Sequence, residues 1–299
     1  MMHRFSLLVF MLALSLTACI QLPEPEPTST PNPTATPIPP PPLGAGFRYS
    51  TYGPWYNPGP EYWLSVGQQM AAQFPGAVPS TIWIVSTFGG KGTVFSFPGT
   101  HEDFNIHFSS LDRNEEALTL FDEAGLRVWL QVEPGAIDVA ELIHIMLNQY
   151  GHHPSVVGVG VDVEWFHSDG TPEGRAVTDA EAQAWVEAAR SHNPAYRLFL
   201  KHWEIEKMPP TYRDGLVFVD DSQGFDSLES MVAEFATWGA AFAPSPVGFQ
   251  YGYQADERWW KELDNPPVVM GQQILDATPN TEGLFWVDFT VLQQFPPEE

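Results

Sequence analysis

The sequence predicts an α/β fold, a closed (β/α)8 TIM barrel, carried behind an N-terminal signal and a proline-rich tether. Three observations predict it. Residues 156–165 read Val-Val-Gly-Val-Gly-Val-Asp-Val-Glu-Trp. Taken with a period of two, Val157, Val159, Val161 and Val163 form one face, and Gly158, Gly160, Asp162 and Glu164 form the other. A β-branched face suits packed helices, and a glycine face ending in carboxylates suits a crowded interior that opens onto a site. Second, eight strand-like runs alternate with helical patterns, which indicates a parallel sheet long enough to close. Third, the stretch after residue 43 is close to the ~250 residues usual for one such barrel.

The first elements lie outside the barrel. His3 and Arg4 precede a mainly apolar run over residues 5–16, which leads into Leu16-Thr17-Ala18-Cys19. A membrane span needs about 20 apolar residues, so residues 1–18 read as a secretory signal. Its last residues, with Cys19, resemble the bacterial lipobox. That resemblance implies lipidation of Cys19, the sole cysteine, and a location in the cell envelope. The protein would then be lipid-anchored and face the extracellular or periplasmic side, with the lipid its only membrane contact. Residues 19–43 are mostly Pro, Thr, Glu, Ser and Ala without apolar periodicity, which describes an extended tether. Residues 44–299 then form the single barrel domain.

Strand-like runs cover residues 47–52, 82–87, 127–132, 156–164, 197–203, 216–220, 247–253 and 284–289. Helical patterns cover residues 61–73, 113–124, 137–150, 179–191, 227–239 and 256–277. The last is broken at Pro266-Pro267 into two short helices. Residues 290–295 supply only a stub of an eighth helix. The segment 88–112 is long for a β/α loop, and long loops on the C-terminal face commonly build the site.

Polar residues fall late in several strands. This brings Gln131, Glu133, Asp162, Glu164 and Lys201 to one rim, with Asp220, Asp221, Gln250, Tyr251 and Asp288. Catalytic groups of barrel enzymes come from that rim, and buried charge is costly unless paired. The formal net charge of −24 argues against nucleic acid and against anionic lipid headgroups. Eleven Trp and twenty Phe in so acidic a chain suit the flat faces and hydroxyl rims of sugars, although most aromatics are expected in the core.

Asp162 and Glu164 point the same way, roughly 7 Å apart along a strand. Two carboxylates at a barrel mouth are the usual apparatus for hydrolysing a glycosidic bond. Glu164, walled by Trp165, Trp203 and Trp286, is expected to hold a raised pKa and act as general acid. Asp162 is expected to stay charged and to stabilise positive charge at the anomeric carbon. Asp162 as nucleophile gives retention; Glu133 or Asp288 activating water gives inversion. The expected carbohydrate contacts are Gln131, Glu133, Trp165, Lys201, Trp203 and Asp220, together with Gln250, Tyr251, Tyr253, Trp286 and Asp288. No cofactor is expected, and no metal. His101-Glu102-Asp103 with His107 reads as a solvated loop, and His152-His153 as a turn on the face away from the site. No Gly-rich phosphate loop or nucleophile elbow is present.

The strand from Gly158 to Glu164 resembles the fourth strand of glycoside hydrolase family 18, the chitinase family, whose pattern is D-G-x-D-x-D-x-E followed by an aromatic. Gly158, Asp162, Glu164 and Trp165 match, while Val157 and Gly160 stand where that pattern has aspartates. Gly283-Leu284-Phe285-Trp286 resembles the family's final strand, whose Trp floors the sugar site. The resemblance implies that Glu164 protonates the glycosidic oxygen and that Asp162 orients a substrate N-acetyl group as internal nucleophile. The family's strand-six tyrosine is missing from Phe218-Val219-Asp220-Asp221, leaving Tyr251 or Tyr253 on strand seven to replace it. Three readings stay open: a surface-anchored glycoside hydrolase, a catalytically inactive barrel lipoprotein that binds glycans, and a binding lipoprotein unrelated to sugars.

Overall fold

The computed structural model describes residues 41–90, 92–168 and 173–297. The signal, Cys19 and the tether up to residue 40 lie outside the described residues. The chain order is β1 (Gly44–Tyr49), α1 (Pro60–Ala72), β2 (Val78–Gly89), β3 (Gly92–Phe95), β4 (Ile106–Phe108), α2 (Glu115–Ala124) and β5 (Arg127–Val132). It continues through α3 (Val139–Tyr150), β6 (Val156–Asp162), α4 (Asp179–His192), β7 (Arg197–Lys201), β8 (Leu216–Asp220) and α5 (Leu228–Phe242). The last elements are β9 (Val247–Tyr251), α6 (Glu257–Trp260), α7 (Pro266–Ala277), β10 (Thr281–Val287) and α8 (Asp288–Gln294).

Eight strands close a parallel barrel in the order β1-β2-β5-β6-β7-β8-β9-β10, with β10 pairing back onto β1. The short β3 and β4 extend the sheet beyond β2, β3 antiparallel to it and β4 parallel to β3. This is how the long 88–112 segment folds, as an outgrowth of β2 rather than a free loop.

The barrel's inside and outside follow the strand period. Val159 and Val161 of β6 join the large core between strands and helices. Inside the barrel, Ile82, Phe199, Val217, Val219 and Phe285 form a separate apolar cluster against Trp129. Gly160 faces that interior, and a Cβ there would lie 1.9 Å from the Phe199 ring. The helices start on local signals. Asp138 caps α3 through the Glu141 amide, and Thr178 with Glu181 forms a capping box on α4. Residues 256–277 hold two short helices, as the prolines indicate, and Pro266 and Pro267 begin the second, because proline needs no amide donor in the first turn.

The first strand lies three residues earlier than its sequence pattern suggests, at Gly44–Tyr49 rather than 47–52. Gly44 and Gly46 read as linker because glycine is a poor strand former. Packing explains Gly46, since a Cβ there would come 1.8 Å from the Ser80 carbonyl oxygen across the β1–β2 pair.

Candidate active site

The site forms at the C-terminal ends of the strands, where β6 stops at Asp162. The next three residues, Val163–Trp165, make a single 3-10 turn. Asp162 Oδ1 accepts from the Glu164 amide at 3.3 Å and so caps the turn. Glu164 is therefore swung into the cleft by a turn, not aligned behind Asp162 along a strand. The expected strand through Glu164 is corrected on this point.

Lys201, the last residue of β7, gathers the carboxylates. Its Nζ lies 3.0 Å from Asp162 Oδ2 and 2.5 Å from Asp221 Oδ2, and it also bonds Glu164 Oε1. Gln131 Nε2 donates to Asp162 Oδ2 at 3.1 Å from the neighbouring strand. Glu133, just past β5, accepts from the Tyr52 hydroxyl at 2.5 Å and from the Phe88 amide at 2.6 Å. Trp165 stacks on Phe88 with ring centroids 4.8 Å apart and planes within 14°. Tyr253, Arg48 and Phe289 complete the walls of a cleft of about 490 Å³.

The charges in this cleft do not balance, since Glu133, Asp162, Glu164 and Asp221 have Lys201 among them while Arg48, the other cation of the wall, is paired with Asp288. Burial first, and then the negative charge of Asp221, hold the Glu164 carboxyl well above the ordinary range against the pull of Lys201. Burial also acts on Asp221, yet Lys201 and a hydrogen bond from Glu164 hold its carboxyl below the ordinary value. The two carboxyls are thus driven in opposite directions, Glu164 toward its acid form and Asp221 toward its charged form. Burial raises Asp162 to about 7, with Lys201 opposing and Glu133 reinforcing the rise. Burial likewise raises Glu133, against the hydrogen bonds from Tyr52 and the Phe88 amide. Lys201 stays firmly protonated because its three carboxylates outweigh its own burial. The arrangement offers a carboxyl biased toward its acid form, a second carboxyl raised to about 7 and a fixed cation in one cleft.

A further cavity of about 260 Å³ opens at the other end of the barrel interior, over Trp129, Phe199 and Phe285. Its charged groups are Arg127 and the Arg197–Glu282 ion pair, with no carboxylate cluster. Ionisable chemistry therefore concentrates at the C-terminal end.

The structure brings Glu133, Asp162, Glu164, Trp165, Lys201 and Tyr253 to the cleft wall, with Gln131 directly behind Asp162. Six other expected contacts lie elsewhere. Trp286 is wholly buried on the outer side of β10, packed edge-on against Tyr251 and Trp260. It is Phe285, not Trp286, that faces the interior, so the expected floor and wall of the sugar site are absent at that position. Tyr251 also faces outward, and its hydroxyl donates to the Pro267 carbonyl at 3.0 Å. Asp220 points out of the barrel and caps the Ser222 amide at 2.7 Å, while Asp221 takes the inward place. Gln250 is buried beneath the cleft, accepting from the Tyr253 hydroxyl at 3.2 Å. Trp203 borders a neighbouring hollow that shares only Asp221 and Gln223 with the cleft. Asp288 is wholly buried, paired with Arg48 at 3.0 Å and accepting from Ser50 Oγ at 2.8 Å. It cannot activate water from there.

Nine residues of the cleft wall were not among the expected contacts: Arg48, Thr51, Tyr52, Ile84, Thr87, Phe88, Asp221, Gln223 and Phe289. Asp221 had a legible signal, since it follows Val217 and Val219 at the strand period. Arg48 had one too, following Gly44 and Gly46 on the glycine face of β1. Phe88 lies within β2 but beyond the expected run 82–87, and Tyr52 and Phe289 lie past the ends of β1 and β10, where no period places them.

Among solved structures, a candidate alpha-L-fucosidase from Bacteroides thetaiotaomicron superposes with a TM-score of 0.51 at 10% identity, over 88% of this chain and 92% of that one. The chain has the TIM-barrel fold. An intracellular xylanase from Thermoanaerobacterium saccharolyticum aligns with a TM-score of 0.44 at 8% identity, over 82% of this chain and 86% of that one. A beta-glucuronidase from an uncultured Clostridium aligns with a TM-score of 0.43 at 12% identity, over 60% of this chain and 37% of that one. No protein-family model matches the sequence, and no curated protein matches it.

Proposed function

We propose that this barrel is a glycoside hydrolase in which Glu164 is the general acid and Asp162 assists it. The observation that carries this reading is the cluster of Asp162, Glu164 and Asp221 gathered on Lys201 inside an aromatic-walled cleft, where burial and Asp221 raise the Glu164 carboxyl. A leaving-group oxygen entering the cleft takes its proton from the Glu164 carboxyl, which burial and Asp221 bias toward the acid form. As the glycosidic bond breaks, positive charge grows at the anomeric carbon, and Asp162 stabilises it in its ionised form. Burial confines that form to pH near and above about 7, rather than leaving Asp162 charged throughout as the sequence suggested. In a chemistry like that of family 18, Asp162 would instead orient a substrate N-acetyl group. Tyr253 then takes the tyrosine role, since it lines the cleft and Tyr251 does not. Trp165 on Phe88 supplies a flat apolar face for a sugar ring.

One observation favours a second reading, that of a catalytically inactive glycan-binding barrel. Lys201 pairs with both Asp162 and Glu164, so both carboxyls already have a structural partner. Turnover separates the readings. The purified protein is incubated with a panel of polysaccharides and glycoconjugates, and the products are read by mass. Glu164→Gln keeps the fold and the sugar binding but loses hydrolysis, because an amide cannot deliver a proton. Binding without cleavage by the wild type hands the site to the second reading. Wild-type turnover by Glu164→Gln removes Glu164 as the acid.

We also propose that the barrel is displayed on the cell envelope through lipid on Cys19, with residues 19–43 as tether. The lipobox-like Leu16-Thr17-Ala18-Cys19 supports this, and carbohydrate outside the cell would be the substrate it meets.

A further inference from the structure

Away from the cleft, outside the barrel wall, Glu115 and Asp122 lie two turns apart on one face of α2. The turn between α3 and β6 brings His152 and His153 against that face. His153 is buried and presents both ring nitrogens to carboxylates, Nδ1 to Asp122 Oδ2 at 2.6 Å and Nε2 to Glu115 Oε2 at 3.4 Å. His152 is exposed. Its Nδ1 lies 3.0 Å from the Gln149 carbonyl oxygen, and its Nε2 lies 3.8 Å from Glu115 Oε1.

The hydrogen-bond partners fix the tautomers. A backbone carbonyl only accepts, so His152 Nδ1 carries a proton there. Asp122 is also an acceptor, taking the Ser155 amide on its other oxygen at 2.9 Å, so His153 Nδ1 carries a proton too. In the neutral rings both Nε2 atoms are then bare lone pairs, and both face the Glu115 carboxylate. Three acceptor atoms converge, no two of them more than 4.8 Å apart. A proton on His153 Nε2 satisfies Glu115 from one side and leaves His152 unaddressed. A cation satisfies all three.

We propose that Glu115, His152 and His153 bind a divalent transition-metal cation of the zinc type. Donors held at 2.0–2.1 Å in a tetrahedral zinc site stand roughly 3.3–3.4 Å from one another. The His153–Glu115 separation of 3.4 Å already matches, and a small rotation of the exposed His152 brings in the third donor. Water completes the shell. Asp122 and the Gln149 carbonyl are the outer partners that ligating histidines commonly have on their second nitrogen. The sequence alone had read His152-His153 as a plain turn, because neither carboxylate is near them in the chain. The inference is independent of the glycosidase reading, since no residue is shared with the cleft.

The test uses the full-length, untagged protein, stripped with chelator and titrated with zinc and cobalt(II). One equivalent of zinc raises the thermal midpoint, and cobalt(II) gives the intense visible absorption of a four-coordinate site. His152→Ala removes an exposed side chain without disturbing the core, and should weaken binding at least tenfold and abolish the cobalt band. Glu115→Gln should do the same, with circular dichroism reporting that both variants are folded. Wild-type protein that takes up no stoichiometric metal overturns the proposal. So does His152→Ala that binds as the wild type does, because the metal then sits at other groups such as the His144–His192 pair, whose ring nitrogens lie 2.9 Å apart.

Discussion

Lys201→Met is the perturbation that most directly probes the cleft. The side chain is 7% exposed and touches three carboxyl groups, at 2.5 Å from Asp221, 3.0 Å from Asp162 and in direct contact with Glu164. At an effective dielectric of about 20, each of the measured pairs carries a gross attraction of roughly 5–7 kcal/mol, against which stands the cost of taking the ammonium out of water. Methionine matches the volume, so the change isolates charge. Removing one partner of a buried cluster typically costs about 3–5 kcal/mol, and that is the loss expected near neutral pH. The sign of the pH dependence follows from Asp221. In the wild type its carboxyl is held low, so its stabilisation is present above the ordinary carboxylate range and lost as the pH falls through its folded value. Without Lys201 burial dominates and the carboxyl rises. A raised carboxyl costs stability as the pH climbs. The gap between variant and wild type therefore widens with pH, by about 1.4 kcal/mol for each unit that the Asp221 pKa moves. Urea denaturation at about pH 4.5 and about pH 7.5 measures it, within the span where the carboxyls titrate. A gap below about 1 kcal/mol at the higher pH, or one equal at both, refutes the reading of Lys201 as the cation that holds this cluster charged.

Three further outcomes are expected. Gly160→Val places branched carbons where the Phe199 ring stands, and the loss should reach or exceed the roughly 1–3 kcal/mol usual for overpacking, read as a lower thermal midpoint. An unchanged midpoint would remove Gly160 from the interior. With a substrate in hand, hydrolysis should decline as the pH rises through the elevated Glu164 titration, because the acid form is the active one, and the alkaline limb of the rate profile should lie above the ordinary carboxylate range. Mass spectrometry of the mature N-terminus should find acylated Cys19, and an unacylated terminus elsewhere would end the anchoring proposal.

Strands β5, β6 and β7 were legible because each carries polar residues on a single face. Arg127, Trp129 and Gln131 alternate with Val128, Leu130 and Val132, so the phase of the strand is written in the chain. Strand β10 has no such marker. Leu284, Phe285, Trp286 and Val287 are apolar throughout, and Asp288 misled because it belongs to α8, where strand parity no longer applies. At Asp220-Asp221 either residue satisfied a pattern of late acidic groups, and only the inward run of Val217 and Val219 distinguishes them. The lysine-centred cluster was out of reach for another reason. It joins the ends of β6, β7 and β8, and sequence spacing records nothing about which strand ends converge on one atom.

The buried Asp288–Arg48 pair, with Ser50 beside it, lies on the seam where β10 meets β1. The two sides of that seam are separated by almost the whole described barrel, since Ser50 and Asp288 stand 238 positions apart. Until the last strand arrives, β1 is paired only to β2 and presents its other edge of amides and carbonyls to whatever is near. Shelter for that first edge depends on residues made after the rest of the barrel. The ion pair then acts as a clasp, drawn shut by the final helix and held inside the wall where water does not compete for either charge.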